Sequence, residues 1–137
     1  MKSLRYILLL AVTLLTVEAS AKLELTDNIY MFGFSASFKD SIIYTTDIQN
    51  PQGLWLDTKH DYLINRDEYS HQLKEYLTDK LQQPNRVCMV FFYTKKKKAE
   101  KEYLKLMKKY KQGYEIRYVN ENAFKFEPID SNPEEEE

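Results

Sequence analysis

Only three glycines, two histidines and one cysteine occur among 137 residues, and each shortage removes a class of chemistry. Phosphate-cradling loops need several glycines so that backbone N–H groups can approach the ligand, and no glycine-rich turn is present. Dinucleotide binding and P-loop chemistry are therefore not expected, and no cofactor is. His60 and His71 stand in no His-Glu-x-x-His spacing, and no zinc motif occurs. No Gly-x-Ser-x-Gly elbow offers an activated serine. Cys88 has no second cysteine to pair with and sits inside an apolar run, the setting of a buried, inert thiol. No apolar run reaches the roughly 20 residues of a membrane helix, so no transmembrane segment is expected in the mature chain.

What is present begins with a leader. Lys2 and Arg5 precede an apolar run from Ile7 to Val17, and Ala19-Ser20-Ala21 is a small-x-small cleavage site. Residues 1–21 read as a secretory signal, so the expected location is exported, in the periplasm or at the cell surface. A single α/β domain over 22–130 would follow, and then an acidic, disordered tail over 131–137. The formal charge of -1 conceals an asymmetry. From Lys22 to Phe126 there are 18 basic against 14 acidic residues, while six acids fall between Glu127 and Glu137.

The stretch from Arg86 to Asn120 organises the domain. Val87 to Phe92 is an unbroken apolar run, expected to be a central strand covered on both faces. Ala99, Tyr103, Leu106, Met107 and Tyr110 recur at helical spacing, Gly113 stands where a helix would stop, and Tyr114, Ile116 and Tyr118 alternate with charges. This predicts a strand-helix-strand unit with parallel strands and a right-handed crossover. Upstream, 28–38 and 41–49 read as a hairpin turning at Lys39-Asp40, with Tyr30, Phe32, Phe34, Ala36 and Phe38 on one face and Ser35 and Ser37 on the other. Gly33 inside the first strand signals a bulge or a close backbone approach. Leu54-Trp55-Leu56 suits a short edge strand. Asn65 and Glu68 have capping-box spacing before a helix striped by Tyr69, Leu73, Tyr76, Leu77 and Leu81 and closed by Pro84. Lys-Glu-Tyr-Leu occurs at 74–77 and again at 101–104, a period of 27 that fits either a duplicated helix-strand unit or a coincidence of common helix residues. The expected fold is α/β (α+β): a two-layer sandwich, β-β-α-β-α-β, with a mixed sheet, both helices on one face and a last strand at 123–126.

The functional signal is charge. Between Lys95 and Lys111 nine lysines stand against Glu100 and Glu102. Those near the end of the helix suit its negative pole, whereas Lys95, Lys96, Lys97 and Lys98 crowd the positive one. A helix start that also carries lysines attracts anions, and Lys101 and Lys105 extend the patch. A solvated helix face and a docking surface for an anionic envelope component or an acidic protein both fit this composition. Nucleic acid is not expected, because the block lacks arginine and export removes the partner. Two other readings are open. Asp57, His60 and Asp61 share a loop and could hold a metal or do acid-base work in a small hydrolytic enzyme. The polar sheet face around Ser35 and Ser37 could serve self-association.

Phe-Gly-Phe-Ser-Ala-Ser-Phe (32–38), Thr-Asp-Ile-Gln (46–49), Tyr-Ser-His-Gln-Leu-Lys-Glu-Tyr-Leu (69–77) and Gln-Pro-Asn-Arg-Val-Cys-Met-Val-Phe-Phe (83–92) resemble small exported proteins of unknown function from Bacteroidota. That resemblance covers nearly the whole mature chain and implies a Gram-negative periplasm or cell surface, with no activity attached. The second half is also similar in pattern to the strand-helix-strand half of peptidoglycan-binding SPOR domains.

Overall fold

The computed structural model describes residues 21–129 and 132–133. The expected secretory signal, 1–21, falls almost wholly outside them, as does most of the expected acidic tail. The fold is α+β, and the described residues form seven strands in two sheets and two helices. Strands β2 (Tyr30–Ala36), β3 (Ile42–Thr46), β6 (Val87–Tyr93) and β7 (Glu115–Val119) make a mixed sheet in the order β6-β2-β3-β7. The β2-β3 hairpin forms as expected, with Phe34 opposite Thr45 and Ser35 opposite Tyr44. β6 is antiparallel to β2 and β7 is parallel to β3, so β6 and β7 run the same way. They do not touch, because the hairpin lies between them. The apolar run at 87–92 is therefore an edge strand and not the central one.

Both sheet faces are covered, and this corrects the expected two-layer arrangement. Side chains alternate along a strand. Met31, Tyr44 and Val90 join Tyr69, Leu73 and Leu77 of helix α1 (Arg66–Leu81) in one core. Their chain neighbours Ile43 and Phe91 join Met107 and Tyr103 of helix α2 (Lys96–Tyr110) in another, which also holds Phe34. The helices thus lie on opposite faces. Gly33 explains where α1 sits: a Cβ there would meet Leu73 Cδ2 at 2.6 Å, so the close approach expected of this glycine is an approach of α1. Ser35 lies on the same face of the strand. It is fully buried, with the Cys88 thiol donating to its Oγ at 3.4 Å, whereas Ser37 is half-buried beside Ala36 and Phe38.

Helix α1 carries Asp67 and Glu68 in its first turn, where they suit the positive pole, but Asn65 caps it in the left-handed conformation and makes no side-chain cap bond. The capping box expected there is not formed. The helix ends when Gln82 adopts φ 53° and Gln83 N–H returns to Leu77 O at 2.8 Å, one turn before Pro84 could stop it. A second sheet, β1 (Leu23–Thr26), β4 (Leu54–Asp57) and β5 (Tyr62–Leu63), is antiparallel with β4 in the middle, so 54–57 is its central strand and not an edge. Leu54, Leu56 and Leu63 pack into the α1 core.

No strand forms at 123–126. Phe124 and Phe126 are buried, and one side chain serves both: Gln49 Nε2 donates to Phe124 O at 2.9 Å and Gln49 Oε1 accepts from Phe126 N–H at 2.8 Å, while the Phe124 N–H goes to Asn120 O at 3.1 Å. A buried glutamine replaces the strand partner. Among the described residues, no helix is long and apolar enough to cross a membrane.

Candidate functional site

β6 leaves the sheet at Tyr93, and the next residues open α2. Lys95 is the N-cap, with extended backbone, and makes no side-chain cap bond. Ala99 is buried and anchors the first turn, its N–H returning to Lys95 O at 3.1 Å. Lys95, Lys96, Lys97 and Lys98 are all exposed, and so are Lys101 and Lys105. No acid occupies the first turn, and no ion pair joins any of these lysines to a carboxylate among the described residues. Cations at this pole oppose the helix dipole by roughly 0.3–1 kcal/mol each at low salt. The six lysines named from the sequence are thus all solvated, four of them at the start of α2 and two further along it. Lys105 and Lys109 also flank a groove of about 200 Å³ lined by Phe32, Phe91 and Tyr93. Burial raises the Tyr93 hydroxyl above its ordinary value, with Glu102 adding to the rise.

The loop after β4 resolves differently. Asp57 Oδ1 accepts backbone N–H groups from Lys22, Lys59 and His60 at 3.3, 3.1 and 3.2 Å, and Oδ2 meets His60 Nδ1 at 2.7 Å. Desolvation pushes the Asp57 carboxyl up, but the hydrogen bonds from the His60 ring and from the backbone outweigh it and hold it below the ordinary range. This carboxylate fastens the turn to the first residue before β1. Asp61 is exposed at φ 50° and completes no cluster: among the described residues, no group of three or more His, Cys, Asp or Glu could hold a metal ion. His71 is exposed and pairs with Glu75 at 3.2 Å, one helical turn on.

Two arginines carry geometry that the sequence does not announce. Arg86 is nearly buried; it donates to Ile42 O at 2.8 Å and Asp40 Oδ2 at 2.7 Å and lies over the Tyr44 ring at 4.7 Å. The Ile42 backbone N–H and the Arg86 guanidinium hold Asp40 below its ordinary carboxylate value, against the desolvation that raises it. Arg66, at the start of α1, donates Nε–H to Val90 O at 2.8 Å and covers the Phe92 ring at 5.6 Å. It reaches the outer edge of β6. No local motif could reveal this contact, which spans 24 residues.

These features define the chain by its class alone, an α+β domain with a basic helix start beside an open sheet edge. No protein-family profile, curated protein or solved structure matches it.

Proposed function

We propose that this chain is an exported, non-catalytic interaction module whose lysine-rich helix start docks an anionic partner, a cell-envelope component or an acidic protein. One observation carries the reading. Lys95, Lys96, Lys97 and Lys98 crowd the positive pole of α2, exposed, without an acid in the first turn or a paired carboxylate among the described residues. Such crowding opposes the helix, so its use lies in what it attracts. Export is supported by the basic start, apolar run and small-residue site in 1–21 and by the resemblance to small exported proteins.

The test uses two anionic surfaces, phosphatidylglycerol vesicles and immobilised polyglutamate, with the parent protein and a variant carrying glutamine at 95–98. The parent is expected to bind one of them at low salt and to release steeply as salt rises, since exposed charges are screened within about 10 Å at 0.1 M. The variant should bind at least several-fold more weakly. Equal binding by both proteins would reduce the patch to a solvated helix face.

A further inference from the structure

The two edges of the four-stranded sheet are built differently. β7 carries Glu115 and Arg117, which pair at 3.1 Å beside the ladder, and charged side chains protect an edge against further pairing. β6 is Val-Cys-Met-Val-Phe-Phe-Tyr, without a charge, proline or glycine. Val87 and Met89 are 56% and 43% exposed there. Such a segment is the composition from which added strands are templated. Arg66 reaches this edge, donating to the Val90 carbonyl at 2.8 Å, and has no carboxylate partner among the described residues.

Grooves flank this edge on both faces. On the α2 face, an apolar groove of about 270 Å³ runs from Val87 and Phe34 to Tyr110 and Tyr114, with Phe38 fully exposed at its rim. Further along the same face lies the groove bordered by Lys105 and Lys109, with Glu102 as its acid. On the α1 face, a groove of about 350 Å³ beside Cys88 is bordered by His71, Lys74 and Arg86, with Asp67 as its acid. A strand added to an edge sends alternate side chains to opposite faces, and main-chain bonds supply affinity while such pockets supply selectivity.

We propose that β6 takes an extended acidic-apolar segment of another polypeptide as a fifth strand of the sheet. Its N–H takes over the Val90 carbonyl, and Arg66, released, pairs with one of its carboxylates. This rests on the reading of an anionic partner and narrows it to a polypeptide. Charge decides against a second copy as the occupant. Two β6 edges paired about a two-fold axis would bring two helices α2 onto the same face of one sheet, each with nine lysines between 95 and 111.

Fluorescence anisotropy with a dye-labelled peptide of alternating valine and glutamate tests this directly. A second peptide of identical sequence, N-methylated at every other residue, keeps the charge and loses the ladder donors. The parent is expected to bind the first, and N-methylation and Arg66→Glu should each weaken binding about tenfold, the usual scale of a lost charge-assisted or ladder contact. Arg66→Glu leaves an acid at a helix start and is expected to fold, which circular dichroism checks. Equal binding of both peptides overturns strand addition and leaves the lysine reading standing. Loss on N-methylation with no loss on changing lysines 95–98 to glutamine supports the edge and overturns the lysine reading. Binding of neither peptide overturns the proposal, and a dimer converted to monomer by Met89→Lys would identify a second copy as the occupant instead. Tighter binding by Arg66→Glu would contradict the exchange at Val90.

Discussion

The tetrapeptide Lys-Glu-Tyr-Leu occurs in both helices, and its leucine is completely buried at position 77 and 67% exposed at position 104. The same four residues meet opposite fates because the helices present different arcs to the sheet. Helix α1 buries Tyr69, Leu73 and Leu77, starts with acids and is lodged against Gly33. Helix α2 buries only Ala99 and Met107, starts with lysines and leaves Leu104 in solvent. One helix is committed to the core; the other holds on by a narrow stripe and gives most of its surface to the outside. The comparison also bears on duplication, since equivalent helices would bury equivalent residues.

This contrast can be broken most easily at the shared leucine. Leu77→Ala should destabilise the fold by about 2–5 kcal/mol, because it removes a fully buried side chain and leaves a cavity. Leu104→Ala should stay within about 0.5 kcal/mol of the parent. Urea denaturation of both variants reads the difference, and equal losses would mean that α2 is packed as deeply as α1. A smaller effect is expected at the contact that lodges α1. Gly33→Ala adds a methyl group 2.6 Å from Leu73 Cδ2, with Phe126 Cζ and Thr46 Cγ2 both at 3.3 Å. Overpacking of this kind costs about 1–3 kcal/mol. Combining it with Leu73→Ala should cost less than the two losses added together, which a double-mutant cycle measures. Strict additivity would show that the two groups do not meet.

The helices were legible from the sequence because their stripes are local: Tyr69, Leu73 and Leu77 repeat every four residues, and Ala99, Tyr103 and Met107 do the same. The hairpin was legible because its strands are joined by a short turn. Strand neighbours were not, since β6 pairs with β2 across more than fifty residues and nothing in Val87–Phe92 records which side is open. Helices on both faces make an edge strand read as unbroken apolar sequence, the same pattern as a central one. β1 and β5 are not legible, because four and two residues are too few to show a period. The Gln49 clamp is not legible either, because a glutamine that serves as a strand partner looks like any other glutamine. The lysine patch was visible as composition, whereas Arg66 acquired its role only when the fold brought it to Val90.

On the proposed function, the start of α2 serves a partner at the expense of the helix. Lys97→Glu tests it in one molecule, because an acid there suits the positive pole and can pair with Lys101 one turn on. Opposite responses are expected: stability higher by about 0.3–1 kcal/mol at low salt, and binding to the anionic surface weaker by several-fold. A variant that gains stability and binds as tightly as the parent would contradict the claim.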